Sequence, residues 1–75
     1  MKSVFATRLR NLREDADLNQ TQLAQAVKMT RRKISYIECG KFEPSLDDIA
    51  AFCRFFNVTA DYLIGLTDKP QYNEK

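Results

Sequence analysis

The chain has 75 residues, of which 44% are hydrophobic and 29% charged, and its formal net charge is +2. This composition is typical of one small globular domain and not of a disordered chain. No apolar run approaches the roughly 20 residues that a membrane-spanning helix needs, and the N-terminal "MKSVFATRLR" lacks the apolar stretch of a secretory signal. We therefore expect a cytoplasmic protein with no membrane partner.

The residue types exclude most catalytic chemistry. The chain has no histidine, and its two cysteines, Cys39 and Cys53, cannot close a tetrahedral zinc site by themselves. With no other secretory feature, two free thiols are expected rather than a disulfide. The chain also lacks a glycine-rich phosphate loop. We expect no enzyme, no metal, no cofactor and no small-molecule ligand.

Hydrophobic residues recur with helical spacing, and no segment alternates for long enough to predict a strand. A first helix is predicted over about residues 3–17, with an inner face of Phe5, Leu9, Leu12 and Ala16.

Capping residues divide the rest of the chain into four further short helices. The residues suited to an N-cap are Asn19, Thr30, Ser45 and Thr59. The residues suited to a helix end are Gly40 and Gly65. The predicted buried faces are Leu23, Ala24 and Val27; Ile34 and Ile37; Ile49, Phe52, Cys53 and Phe56; and Leu63 and Ile64. The sequence thus predicts an all-α domain of five short helices over residues 1–66 and a mobile tail over 67–75.

The third helix begins with three consecutive cations, Arg31, Arg32 and Lys33. Residues 1–41 carry nine Lys/Arg and four Asp/Glu, whereas residues 42–75 carry three and six. Cations at a helix N-terminus oppose the helix dipole by about 0.3–1 kcal/mol each, so this cluster indicates an external anion. A short turn before the helix leaves its start protruding, and a B-DNA major groove admits one α-helix. A solvated basic face is the alternative.

Residues 13–66 resemble the helix-turn-helix domain of the Cro/phage-repressor (Xre-like) transcriptional regulators. The matching residues are Gln20, Leu23, Ala24, Thr30, Ile34, Ile37, Glu38–Gly40, Pro44, Ser45 and "NVTADYLIG" at 57–65. The resemblance implies a lambda-repressor-like fold with its helix-turn-helix at about residues 20–38. It also implies sequence-specific binding of double-stranded DNA by a homodimer on an inverted-repeat operator, and repression by operator occupancy in a bacterial or phage nucleoid.

Residue roles follow from the same resemblance. The residues that it assigns to reading bases are Arg31, Arg32, Ser35 and Tyr36. One of the two arginines is expected to form paired hydrogen bonds with a guanine, with Arg32 favoured, and the other to take a phosphate. Ser35 either reaches a base or fills the outer face, and Tyr36 either offers its hydroxyl or ring to a base or is an ordinary surface residue. The residues that it assigns to phosphates are Asn19, Gln20, Thr30, Lys33 and Lys41. Arg13 and Glu38 match a pair that supports the reading helix from behind.

Three positions leave alternatives open. Lys28 stands where the family typically has glycine, so the turn is either strained or differently shaped. Phe55 falls off the buried stripe and is either a dimer contact or an ordinary exposed aromatic. Cys39, beside the reading helix, is either an inert small residue or a redox switch.

The rival function is a protein-interaction module, such as an antitoxin or a sequestering partner of another regulator. A pure protein binder is expected to carry apolar residues at positions 31, 32 and 36, where this chain has two arginines and a tyrosine. The sequence therefore favours DNA.

Overall fold

A computed structural model describes residues 3–71, which form five α-helices and no strand. The helices are α1 (Val4–Asp15), α2 (Gln20–Val27), α3 (Arg31–Glu38), α4 (Leu46–Phe56) and α5 (Ala60–Ile64). The predicted all-α architecture of five short helices is confirmed. None of the helices in this described range is long and apolar enough to cross a membrane.

Every helix starts at a side chain that accepts a hydrogen bond from the backbone N–H three residues later. The five N-caps are Ser3, Asn19, Thr30, Ser45 and Thr59. Full capping boxes form at the starts of α2 and α4, where the side chains of Gln22 and Asp48 in turn accept a hydrogen bond from the backbone N–H of the cap residue. The caps predicted for α2 to α5 are confirmed. Since each is worth about 1 kcal/mol, these local contacts fix where the helices begin.

Every helix also ends in one backbone motif: a residue in the left-handed conformation, followed by an N–H that donates to a carbonyl five residues back. The left-handed residues are Asp17, Lys28, Gly40, Asn57 and Gly65. The closing bonds run from Leu18 to Arg13, Met29 to Ala24, Lys41 to Tyr36, Val58 to Cys53 and Leu66 to Asp61. The two predicted glycine ends are confirmed. The other three ends use Asp17, Lys28 and Asn57, and of these the sequence singled out only Lys28.

One buried cluster joins all five helices. Its members are Phe5, Leu9, Leu23, Ala24, Ile34, Ile37, Phe52 and Leu63. The rings of Phe5 and Phe52 pack tilted, with centroids 6.0 Å apart, and so join α1 to α4. The other predicted apolar residues of α4 are half-buried at the margin of this cluster.

Two predicted core residues lie outside the core. Ala16 is exposed because α1 ends at Asp15, and Ala6 is buried in the same helix instead. Ile64 is 47% exposed, because α5 is a single short turn that presents only Leu63 inward. Both predictions extended a helical stripe past the point where the helix or its packing stops.

The segment after α5 is hydrogen bonded to the domain. The Arg8 guanidinium in α1 donates to the carbonyl of Thr67 and pairs with Asp68 at 3.0 Å. The backbone N–H of Thr59 donates to the carbonyl of Pro70 at 2.9 Å. The mobility of the tail stays a prediction, and residues 72–75 lie outside the described range.

Candidate nucleic-acid interface

The turn between α2 and α3 spans residues 28–30. Lys28 adopts φ 62° and ψ 44°, a conformation that costs a non-glycine residue about 1–2 kcal/mol. The N–H of Met29 closes onto Ala24 at 2.8 Å, and Thr30 then caps α3 with a 3.1 Å bond from the N–H of Lys33. Of the two shapes that the sequence left open, the structure has the strained left-handed turn at Lys28.

The outer face of α3 carries the residues predicted to read bases. Arg31, Arg32 and Tyr36 are exposed, and Ser35 is half-buried. Within residues 3–71, no carboxylate lies within ion-pair distance of Arg31 or Arg32. Both guanidinium groups are therefore open to an external anion or base edge.

Lys33 has an internal partner. Its Nζ donates to Oδ1 of Asp48 at 2.9 Å and lies 5.7 Å from the centre of the Phe42 ring. Oδ2 of Asp48 accepts the N–H of Ser45 at 3.0 Å. Burial favours a higher pKa for Asp48, but the hydrogen bonds from Lys33 and Ser45 outweigh it and hold the pKa below the ordinary value. This ion pair fastens the start of α3 to the start of α4.

Arg13 and Glu38 form a two-pronged ion pair behind α3. Arg13 donates from Nε to Oε2 at 2.7 Å and from Nη2 to Oε1 at 3.1 Å, and its Nη1 donates to the carbonyl of Leu18 at 2.8 Å. Nε2 of Gln20 adds a 3.2 Å hydrogen bond to Oε1 of Glu38. Glu38 is only 4% exposed, and its hydrogen bond holds the pKa of Arg13 above the ordinary value. The network ties α1 and α2 to the end of α3.

The starts of α2 and α3 supply backbone donors. Asn19 and Thr30 use their side chains as caps, and the side chain of Gln20 bonds Glu38. The first N–H groups of each helix have no acceptor inside the helix, and they lie at the positive end of its dipole. Because the side chains of Asn19, Gln20 and Thr30 are already hydrogen bonded, the donors available to an anion at these helix starts are chiefly backbone N–H groups.

Lys41 lies just after α3 and takes part in the hydrogen-bonded turn that ends this helix. Its N–H donates to the carbonyl of Tyr36 at 2.9 Å, and Gly40 takes φ 77° to allow the turn. Its side chain is exposed and, within the described residues, forms no ion pair. Lys41 is thus a cation on a fixed backbone beside the reading helix.

Phe55 lies away from α3, on the side where α4 meets the end of α2. It is 42% exposed and packs edge-on against Phe56 with centroids 4.9 Å apart. It lines a shallow cleft together with Ala26, Val27, Lys28, Ala51 and Arg54.

Both cysteines are free thiols. Cys53 is half-buried, and burial raises the pKa of its thiol, which favours an inert core residue. Cys39 is exposed at the end of α3, where its redox role stays a hypothesis.

Sequence reasoning missed Phe42 and the pairing of Asp48 with Lys33. That pairing joins residues 15 apart along the chain. No local pattern signals such a contact. Phe42 gave a weak signal, as an aromatic in a loop next to Lys41.

A family model described as "Helix-turn-helix domain" matches residues 4–63. The chain belongs to this helix-turn-helix domain family. The family and the fold are those of DNA-binding transcriptional regulators, not of enzymes. The resemblance to the Cro/phage-repressor regulators is confirmed.

Three sequence relatives come from Bacillus subtilis, Enterococcus faecalis and Archaeoglobus fulgidus. The uncharacterized HTH-type transcriptional regulator YobD of Bacillus subtilis is 33% identical over 67 residues, which cover 89% of this domain and 60% of YobD. The HTH-type transcriptional activator BcrR of Enterococcus faecalis is 37% identical over 60 residues, which cover 80% of this domain and 29% of BcrR. An uncharacterized HTH-type transcriptional regulator of Archaeoglobus fulgidus is 33% identical over 63 residues, which cover 84% of this chain and 90% of that regulator. This chain therefore spans less than two thirds of YobD and of BcrR.

Solved structures share the fold. The P22 c2 repressor in complex with a synthetic operator matches with a TM-score of 0.77 and 24% identity, over 81% of this chain and 92% of that one. The solution structure of the DNA-binding domain of the same repressor matches with a TM-score of 0.77, over 92% of this chain and 93% of that one. These likenesses confirm the predicted phage-repressor fold.

Proposed function

We propose that this protein binds specific sites in double-stranded DNA with α3 in the major groove and regulates transcription from them. The observation that carries the proposal is the outer face of α3, where Arg31, Arg32 and Tyr36 are exposed and both arginines lack an acidic partner within residues 3–71. The opposite face of the helix is anchored by Ile34 and Ile37, 0% and 1% exposed. A rigid, cationic helix of this kind suits the major groove.

Base reading falls chiefly to Arg32. Arg32 and Tyr36 are four residues apart and share one face of α3, whereas Arg31 lies about 100° away around the helix. Arg32 forks onto the O6 and N7 acceptors of guanine, and Tyr36 and Ser35 meet the neighbouring base. Arg31 takes a phosphate at the edge of the groove.

Phosphates are held by the starts of α2 and α3 and by Lys41. The free N–H groups next to Asn19, Gln20 and Thr30 form anion sites at two helix starts. We assign Lys33 differently from the family resemblance. Because its ammonium is paired with Asp48 at 2.9 Å, it fixes the start of α3 rather than a phosphate.

The protein acts on DNA as a homodimer bound to an inverted repeat. Two apolar surfaces can meet a second copy. One is the cleft at Phe55 between α2 and α4. The other is a groove of about 360 Å³ beside the end of α3, whose lining includes Phe42, Pro44 and Ile64.

The simplest regulatory action of this unit is repression, because a protein seated on an operator excludes other proteins from it. The place of action is the cytoplasm, where the DNA is. The P22 c2 repressor, which has this fold, was solved on an operator, whereas the relative BcrR is an activator. A pure protein binder accounts less well for two arginines on the exposed face of α3 that have no acidic partner within residues 3–71.

Selection from a random duplex library tests the proposal. We expect enrichment of an inverted repeat whose half-site centres lie one helical turn, about 34–36 Å, apart. The matched control is the double variant Arg31→Glu/Arg32→Glu, which is expected to enrich nothing while keeping its helical circular dichroism. Recovery of no common sequence by the native protein would contradict sequence-specific binding.

A further inference from the structure

A cleft of about 220 Å³ opens beside the reading residues of α3. Its walls are mostly apolar, and they are formed by Thr30, Arg32, Lys33, Tyr36 and Phe42. The two aromatic walls are half-exposed, Tyr36 by 44% and Phe42 by 45%. The base-reading surface of this protein is therefore not purely polar.

The position of Phe42 is held from two sides. The residue before it, Lys41, is bonded through its N–H to the carbonyl of Tyr36 at 2.9 Å. The ammonium of Lys33 lies 5.7 Å from the ring centre of Phe42, and that ammonium is fixed by Asp48. The cleft is consequently formed before any ligand arrives, which limits the entropy lost on binding.

The charged residues around the cleft indicate which kind of ligand binds in it. Arg32 lines it, and Arg31 and Lys41 lie exposed nearby on the same helix and its closing turn, so the cleft approaches a polyanion with the rest of α3. The apolar group that DNA displays on a major-groove base edge is the C5-methyl of a pyrimidine, and Phe is among the side chains suited to contact it.

We propose that Phe42 and Tyr36 form a receptor for the C5-methyl group of a pyrimidine next to the base pair that Arg32 reads. Phe42 is then a specificity-determining residue, although it lies outside the helix-turn-helix. The proposal rests on the DNA-binding function proposed above and specifies one position of its site. Thymine and 5-methylcytosine share the methyl group, and the test separates them.

The test combines a protein change with removal of a single methyl group. Each thymine of the selected duplex is replaced in turn by deoxyuridine in one half-site, and the Kd is measured for native protein and for Phe42→Ala. Thermal unfolding of both proteins shows that each is folded. A second variant, Phe42→Leu, keeps an apolar wall if Phe42→Ala proves too unstable.

At one thymine we expect the native protein to bind about fourfold more weakly without the methyl, the loss for one buried methyl-sized group. Phe42→Ala is expected to bind the thymine and deoxyuridine duplexes equally. Replacing that T·A pair by C·G and by 5-methylcytosine·G then identifies the source. A gain from the cytosine methyl supports a receptor for either pyrimidine, and no gain supports thymine alone.

An equal loss in native protein and Phe42→Ala at every thymine would overturn the proposal, and so would the absence of any methyl effect. Either result would leave Phe42 as a cover for the Lys33–Asp48 pair and would leave DNA binding intact. Failure of the native protein to bind any duplex would overturn both proposals at once.

Discussion

The guanidinium of Arg13 and the carboxylate of Glu38 meet through two hydrogen bonds, 2.7 Å and 3.1 Å long, directly behind α3. Glu38 is the last residue of α3, and only 4% of it is exposed. Gln20 donates to the same carboxylate from the start of α2. The angle between the two helices of the helix-turn-helix is therefore held by a buried charge with three donors.

Replacing Arg13 by Met is expected to lower the free energy of unfolding by about 3–5 kcal/mol, because Glu38 is left as a buried charge without its partner. The matched control is Arg10→Met, which breaks the exposed pair with Glu14 in the same helix and is expected to cost no more than about 0.5 kcal/mol. The double variant Arg13→Met/Glu38→Met recovers part of the loss. Urea unfolding measures all three, and a loss below about 1 kcal/mol for Arg13→Met would contradict the assigned role.

The Lys33–Asp48 pair gives a pH signature. Lys33→Met is expected to lower the free energy of unfolding by about 1–2 kcal/mol at pH 7, because a hydrogen bond between charged groups is lost. The folded-state pKa of Asp48 is depressed, so this stabilisation is fully present above the ordinary Asp pKa of about 4 and is lost as pH falls through the lower folded value. The difference in the free energy of unfolding between the native protein and Lys33→Met should therefore become smaller in acid. A difference that stays constant down to the lowest pH would contradict the pairing.

Arg32→Ala is expected to weaken binding to the selected duplex by about 1–3 kcal/mol and to relax discrimination at one base pair. Arg31→Ala, one residue away, should weaken all sequences alike. Competition binding with single-base variants of the duplex measures both. If Arg32→Ala weakened every sequence equally, Arg32 would be a phosphate contact and the assignment would be wrong.

Substitutions of Lys41 and of Lys33 should have different effects on the salt dependence of DNA binding. Lys41→Met removes a phosphate contact, so the slope of log K against log salt should become shallower by about one. Lys33→Met removes a cation that is already neutralised by Asp48 and should leave that slope unchanged while lowering affinity. A flattened slope for Lys33→Met would restore Lys33 to the phosphate contacts, and an unchanged slope for Lys41→Met would remove Lys41 from them.

Sedimentation of the protein on its duplex identifies the dimer surface. Phe55→Glu introduces a charge at the cleft between α2 and α4, and Ile64→Glu introduces one at the groove beside α3. Both residues are half-exposed, so each variant is expected to fold. The variant at the true contact should bind one half-site at a time. If neither variant disturbed two-copy binding, both surfaces would be excluded.

The sequence predicted what is encoded locally. An N-cap side chain and the backbone N–H that donates to it are three residues apart, so Asn19, Thr30, Ser45 and Thr59 could be assigned from spacing alone. The exposed arginines of α3 could be placed because the buried isoleucines of the same helix fix which face points outward.

The remainder depends on contacts between distant segments. Lys33 meets Asp48 and Gln20 meets Glu38 only after the helices pack, and no periodicity reports those distances. The left-handed end at Lys28 is likewise held by a bond from Met29 to Ala24, which overrides the local preference for glycine. Two side chains predicted to contact phosphates, Lys33 and Gln20, thus also hold α3 against its neighbouring helices.

The most direct test of the account is the affinity of the native protein for the selected duplex relative to a shuffled duplex of the same composition, at physiological salt. Base reading by α3 predicts a ratio of at least about 10³. A ratio near one, with binding to both duplexes vanishing as salt is raised, would contradict sequence-specific recognition. The exposed face of α3 would then belong to a protein partner.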